Sequence, residues 1–195
     1  MSYTEKSKEA AKRATEILDT SGVKSIWEQA GAEVRLVGSL RMGLLAKHRD
    51  IDLHVYSSGI TEEYSFAIAS QMAKNPNIVE IKCLNGLHTD EHCIAWHVQY
   101  KISDNEIWQI DIIHIEKGTR YDGYFEEMAD RIIAKLTPEL RETILSMKYN
   151  TPENEIIHGV EYYEAVIADG VRNLQELKEW IKTRRSKPFY YWMPD

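Results

Sequence analysis

Three carboxylates and one small turn are the residues of this chain best suited to chemistry. Val37-Gly38-Ser39 closes an apolar run, Asp50-Ile51-Asp52-Leu53 follows after ten residues, and a third acid lies inside Ile110-Asp111-Ile112. Residues two apart on a strand project to the same side, so Asp50 and Asp52 present their carboxylates together. Like charges held that close repel unless a cation lies between them. Mg²⁺ suits such a pair, because it favours hard oxygen ligands and keeps positions open for phosphate and water; Mn²⁺ is the alternative. Asp111 sits among Ile110, Ile112 and Ile113, where an unpaired carboxylate is costly to desolvate. A metal shared with Asp50 and Asp52 removes that cost. Two ions about 3.5–4 Å apart would clamp the attacking and leaving oxygens of an in-line phosphoryl displacement.

Each piece also has an ordinary reading. An Asp-x-Asp pair can be the wet face of an edge strand, a lone Asp111 a buried acid paired with an arginine, and Gly-Ser a simple turn. Their conjunction, in this order, favours catalysis. Gly38 lets backbone approach a ligand, the N–H groups opening the next helix bind anions, and Ser39 offers a hydroxyl to a β- or γ-phosphate. Arg41, Lys47 and Arg49 add positive charge nearby, or are solvated surface.

The elements that must hold these residues are legible from periodicity. Helical spacing covers Glu5 to Leu18, and Ser21 is the expected N-cap of a second short helix closed by Gly31. Glu33 to Val37 reads as a strand running into Gly38-Ser39, with a short helix after the turn. Ile51 to Tyr56 alternates, with Ile51, Leu53 and Val55 on one face and Asp52, His54 and Tyr56 on the other. A helix over Thr61 to Lys74 stops at Asn75-Pro76. Strand-like runs follow at Ile78–Leu84, Cys93–Ile102 and Glu106–Ile115, the last two joined by a short polar link. From about Tyr121 to Arg185 the texture is helical, with Thr137-Pro138 and Thr151-Pro152 as starts or breaks. The expected fold class is α+β. A domain over residues 1–117 carries a mixed β-sheet with flanking helices, and an α-helical C-terminal domain covers 118–195.

Composition narrows the partners. A hydrophobic fraction of 43% with five tryptophans supports a substantial core, and a net charge of −7 disfavours a long nucleic acid as acceptor. Two cysteines make no disulfide framework. Met1 to Lys6 lacks the apolar stretch of a signal peptide, and no run approaches the ~18 apolar residues of a membrane helix, so a cytoplasmic, membrane-free protein is expected.

With these motifs in place, the chain resembles the DNA polymerase β-type nucleotidyltransferase superfamily, over about Glu33 to Ile115. Val37-Gly38-Ser39, Asp50-Ile51-Asp52-Leu53 and Ile110-Asp111-Ile112 match its signature without departure. The C-terminal helices resemble the bundle of the antibiotic and other small-substrate members in architecture only. The resemblance implies a nucleotidyltransferase-type sheet and transfer of a nucleoside monophosphate from an NTP, ATP among the candidates, to a hydroxyl, with release of pyrophosphate. It implies that Asp50 and Asp52 bind both Mg²⁺ ions. Asp111 would bind the catalytic ion and help deprotonate the acceptor, and Gly38 and Ser39 would hold the triphosphate. Arg41 and Lys148 are further candidates for the nucleotide, and Tyr162 or Tyr163 for stacking on a base, with Tyr163 alternatively core. A small molecule or a protein hydroxyl is the expected acceptor. The alternatives are an RNA-end transferase, or an NTP-binding regulatory or antitoxin-like protein without turnover. His88, His92 and Cys93 lack a clear fourth zinc ligand; His54 shares a strand face with Asp52; and the basic run Lys182, Arg184, Arg185, Lys187 complements a helix C-terminus. The aromatic tail 188–194 is expected to pack back on the protein, or to form a dimer contact or a wall of the acceptor pocket. Oligomeric state, base preference and acceptor identity are not readable at this level.

Overall fold

The computed structural model describes residues 1–184 and 192–195. Its first helix, α1 (Tyr3–Ser21), opens on a capping box in which the Ser2 hydroxyl accepts from the Glu5 amide and the Glu5 carboxylate accepts from the Ser2 amide. Ser21 does not cap the second helix as expected. It ends α1, and Gly22, left-handed at φ 72°, both terminates α1 and precedes α2 (Val23–Gln29). The left-handed corner is what turns the chain, and only glycine takes it without strain.

Strand β1 (Glu33–Val37) runs directly into the five-residue helix α3 (Gly38–Met42), and β2 (Asp50–Ser57) follows. Helix α4 (Glu62–Met72) is capped by the Thr61 hydroxyl. Strands β3 (Ile78–Gly86), β4 (Cys93–Ser103) and β5 (Glu106–Glu116) complete a five-stranded sheet of order β1-β2-β5-β4-β3. Only the β2–β5 pair is parallel; its register sets Asp52 opposite Asp111 and Asp50 opposite Gln109. Four helices follow: α5 (Tyr124–Lys135), α6 (Pro138–Asn150), α7 (Gly159–Ile167) and α8 (Leu174–Arg184). Thr137-Pro138 starts α6 and Thr151 ends it, as the sequence suggested.

The alternation on β2 decides the layering. Ile51, Leu53 and Val55 join Ile110, Ile112, Trp96 and Trp27 in a core between one sheet face and helices α1, α2 and α4. The other face carries the acids. A second core gathers the helical half around Ile144, Leu145, Tyr162 and Val166, and it includes Met42 at the end of α3 and Leu44 and Ala46 just after it. The two halves are tied at α1. The Glu142 carboxylate accepts from the Tyr3 and Thr4 amides (2.8 and 2.9 Å) and from the Thr4 hydroxyl (2.6 Å), so α6 supplies an anion to the first turn of α1. Cys83 and Cys93 are unpaired thiols. Among the described residues, no helix is long and apolar enough to cross a membrane.

Trp27 is fully buried, edge-on to His114 at 4.8 Å. Trp27→Ala is expected to lower unfolding stability by about 3–5 kcal/mol, read from the midpoint of a urea titration. A loss below about 1 kcal/mol would show that this face of the sheet is not the main core.

Candidate active site

The turn between β1 and α3 is shaped around one carboxylate. Val37 pairs with Asp52 in the antiparallel β1–β2 ladder, and Gly38 follows at φ 66°. A Cβ at Gly38 would lie 1.9 Å from Asp52 Oδ2, so both backbone angle and space require glycine here. The buried Ser39 donates its backbone N–H to Asp52. Close approach of a backbone turn to an acid therefore comes from two adjacent residues, Gly38 and Ser39.

Asp50, Asp52 and Asp111 lie on the same sheet face, through period-2 alternation on β2 and the parallel register to β5. Asp50 Oδ1 is buried and accepts no hydrogen bond. The Asp52 pKa is pushed up to about 7, by burial first and then by Asp50 and Asp111, against the opposing pull of Lys148 and the Ser39 amide. Lys148, brought in by α6, is buried; its ammonium donates to the Leu44 carbonyl at 2.8 Å and reaches the Tyr163 hydroxyl at 3.4 Å. Burial brings its pKa down to about 8, against the raising effect of Asp50 and Asp52. Asp111 is held from the side: its Oδ1 lies 2.6 Å from His97 Nδ1, and Gln109 Nε2 is 2.9 Å from both oxygens.

This donor set fits a divalent cation of the Mg²⁺ kind. It offers hard carboxylate oxygens, one of them buried and unsatisfied, and a surplus of negative charge that Lys148 alone does not balance. Among the described residues no three His, Cys, Asp or Glu side chains already form a closed coordination cage, consistent with Asp111 being turned toward His97 and Gln109.

Beside the acids opens a cavity of about 620 Å³. One limb is polar, with Gly38, Ser39, Asp50, Asp52, Lys148 and Tyr163; the other is apolar, with Ile113 and Ile115 on its floor and Tyr124, Phe125 and Met128 of α5 above. His54 lies between the two, buried and held neutral by desolvation, which takes its pKa down to about 4.

Of the residues singled out from sequence, Gly38, Ser39, Asp50, Asp52, Lys148 and Tyr163 meet at this cavity, and Asp111 stands beside it on the shared face without lining it. Arg41 does not join them, because its guanidinium is drawn to Asp130 of α5 (2.6 Å). Lys47 donates to the Thr151 carbonyl and Arg49 to the Asn105 carbonyl, so both are spent on backbone. Tyr162 is core, its hydroxyl 2.6 Å from that of Thr151. His88 pairs with Glu62 (2.7 Å), whereas Cys93 lines the cavity. Arg185, Lys187 and the tail residues Pro188 to Tyr191 lie outside the described residues. Trp192 reaches the cavity, and the Pro194 carbonyl accepts from Arg131 at 2.9 Å. Sequence reasoning missed Gln109 and His97. Gln109 was findable, being two residues before Asp111 on the same strand face; His97 required the β4–β5 register.

Comparison with known proteins places this geometry. Residues 21–122 match the family described as nucleotidyltransferase domain. No curated protein sequence matches the chain. Among solved structures, Cid1 poly(U) polymerase bound to MgGTP is similar with a TM-score of 0.56 and 20% identity, covering 81% of this chain and 49% of that one. A cytoplasmic RNA terminal U-transferase gives 0.54 and 18%, with 84% and 50% covered. A chain of the GLD-2–GLD-3 non-canonical poly(A) polymerase complex gives 0.59 and 11%, with 89% and 60% covered. At these identities the likeness is one of fold, and the chain spans about half the length of the first of these structures.

Two outcomes test the geometry. Gly38→Ala forces a methyl group into Asp52, so it is expected to cost roughly 2–4 kcal/mol in stability by urea titration and to displace that carboxylate. The second concerns pH. The folded pKa of Asp52, about 7, lies above its ordinary value of 3.8, so the folded state holds the proton more tightly and this acid destabilises the fold progressively as pH rises from 3.8 to about 7, the loss being complete above that. In EDTA, Asp52→Asn is expected to be more stable than wild type by roughly 1–3 kcal/mol at pH about 8, with the difference shrinking below pH about 7 and vanishing only below pH about 4. Equal stability at both ends would mean that the three acids do not crowd one another.

Proposed function

The chain belongs to the nucleotidyltransferase domain family, and from that premise we propose that it is a Mg²⁺-dependent enzyme transferring a nucleoside monophosphate from an NTP to a hydroxyl of a small acceptor. The observation that carries this reading is the row Gly38–Asp52–Asp111, with the unsatisfied oxygen of Asp50 at its edge. Residues 1–117 supply the catalytic face and helices α5 to α8 of the C-terminal half the wall that brings Lys148.

In this reading Asp50 and Asp52, with Asp111, hold the metal. When bound, the ions supply Lewis-acid polarisation and neutralise phosphate charge. Gly38 and Ser39 hold the triphosphate by backbone approach, and Lys148 donates to it from the opposite wall. The acceptor oxygen forms a bond to the α-phosphorus, and the bond from that phosphorus to the oxygen bridging to the β-phosphate breaks. Pyrophosphate leaves with that electron pair. The hydroxyl proton passes to Asp111, whose carboxylate His97 and Gln109 orient. Arg41, paired with Asp130, has no role at the phosphates.

A small acceptor is favoured over a polynucleotide because Lys148 is the one Lys or Arg among the described residues lining the cavity. The RNA-end reading has its own support, since the similar structures are of poly(U), terminal U- and poly(A) transferases. A regulatory reading without turnover predicts NTP binding and no pyrophosphate.

The test is thermal stabilisation by ATP, GTP, CTP and UTP, with and without Mg²⁺, on wild type and Asp50→Asn. A ligand at 100 times its Kd adds about 2.7 kcal/mol. Stabilisation of wild type by at least one Mg·NTP, lost in the variant, is expected. Asp52→Asn should lower pyrophosphate release on the order of a thousandfold while remaining folded. If no nucleotide shifts the wild type, the acids serve another ligand.

A further inference from the structure

Resting on the nucleotidyl-transfer reading of the acid end, we infer that the apolar limb of the cavity is the acceptor subsite, and that it takes a flat, uncharged group whose O–H or N–H donates to His54 Nε2. Strand geometry lays out the limb. His54 and Ile113 form the row beyond Asp52 and Asp111, about 7 Å along the strands. Ile115 and Cys93 form the next, about 13 Å from the acids. Phe125, Tyr124 and Met128 face these rows from α5, with the Phe125 ring edge-on to His54 at 5.1 Å. Flat walls set this way receive a planar group better than a branched or strongly hydrated one. Glu91, at the end of the limb, is its one charged side chain among the described lining residues, so neither a phosphate chain nor a polycation finds a set of matching charges there.

His54 gives the limb its polarity. It is 94% buried, from a residual exposure of 6%. The Tyr56 hydroxyl donates its proton to Glu126 Oε1 at 2.7 Å, since a carboxylate only accepts. The phenol oxygen, which also accepts from the Gly123 backbone N–H, keeps a second lone pair, and His54 Nδ1, 3.3 Å away, is the ring nitrogen that carries hydrogen toward it. Nε2 is left as a lone-pair acceptor with no partner among the described residues. Nε2 opens on the cavity, where a ligand O–H or N–H can take the place of the solvent that would otherwise serve it.

In-line displacement assigns the limb to the acceptor rather than the base. Pyrophosphate departs toward Gly38, Ser39 and Lys148, so the attacking oxygen comes from the opposite side, that of Asp111. The limb runs along β5 and β4 on that side. An acceptor with a hydroxyl at the acids and a second donor one row further on spans both.

The experiment is calorimetric titration of hydroxyphenyl alcohols with one-, two- and three-carbon chains, and of their phenol O-methyl ethers, into the full chain with Mg²⁺. Titrations are run with and without α,β-methylene ATP or UTP. The phenols are expected to bind wild type, with affinity falling about tenfold in the ethers and in His54→Phe. Met128→Trp, which fills the limb without touching the His54–Tyr56–Glu126 contacts, is expected to abolish binding. The methylene nucleotides are expected to bind all three proteins alike. Equal binding of phenol and ether, or no binding of any phenol to wild type, overturns the subsite. Loss of methylene-nucleotide binding in Met128→Trp overturns it too, because the limb would then hold the base. A further arm offers radiolabelled NTP with oligouridylate or kanamycin. Label transferred to either at a rate unchanged by Met128→Trp places the acceptor elsewhere while leaving nucleotidyl transfer intact. Should no nucleotide bind wild type, the transfer reading fails by itself, and the phenol titrations still decide whether the limb is a ligand site.

Discussion

Three negative charges are forced onto one sheet face by the parallel register of β2 and β5, and much of the architecture follows from tolerating them. A slip of one residue between these strands would send Asp111 toward Trp27 and Trp96 and turn an isoleucine toward the cleft. What prevents the slip is the opposite face, where Ile51, Leu53, Val55, Ile110 and Ile112 are buried to about 1% exposure or less. Each such side chain contributes roughly 1.5–3 kcal/mol by burial. Apolar packing against α1, α2 and α4 therefore holds the carboxylates where their mutual repulsion would separate them. The upward shift of Asp52 comes from its burial first and from Asp50 and Asp111 second.

The helical half answers the same charge from above. Lys148 reaches the acids only because α6 is anchored on the sheet domain, by its own bond to the Leu44 carbonyl and by Arg141 donating to the Met42 and Gly43 carbonyls (2.8 and 2.7 Å). Those carbonyls belong to the chain just past α3, so the turn that approaches Asp52 and the helix that delivers the cation share one joint. Met42, Leu44 and Ala46 then sink into the helical core. The geometry of the cleft is thus a property of both cores at once, with Glu142 at the start of α1 as a third fastening.

Much of this was legible in the residues. Alternation on β2 gave the two faces, because the period of a strand is independent of its partners. The Gly-Ser turn, the acid pair and the third acid stood in the right order, and Thr137-Pro138 marked α6. Ser21 misled because its type favours an N-cap, whereas Gly22 took the left-handed corner that ended one helix before the next. Arg41 misled because proximity in sequence says nothing about a competing carboxylate 89 residues later. His97 and the α5 wall were invisible for a related reason: the register of β4 on β5, and the face α5 turns to the sheet, are settled by tertiary packing, which no local pattern reports.

The similar poly(U) and poly(A) polymerase structures share this fold, so the fold alone does not choose the acceptor. Charge and wall chemistry do. A chain that follows an RNA end past the acids would meet phosphates at every step, and each needs a cation or a donor to offset its desolvation. Beyond Asp111 the proposed acceptor path instead presents isoleucines, a thiol, aromatic rings, one neutral imidazole and, at its end, the carboxylate of Glu91. The one Lys or Arg among the described lining residues, Lys148, donates to the Leu44 carbonyl beside Asp50 and Asp52. A site that is strongly anionic where the metal–triphosphate would sit, and nearly uncharged beyond, favours a positively compensated nucleotide at one end and a neutral, flat molecule at the other. On the proposed reading, the isoleucine floor and the aromatic roof take part in substrate selection.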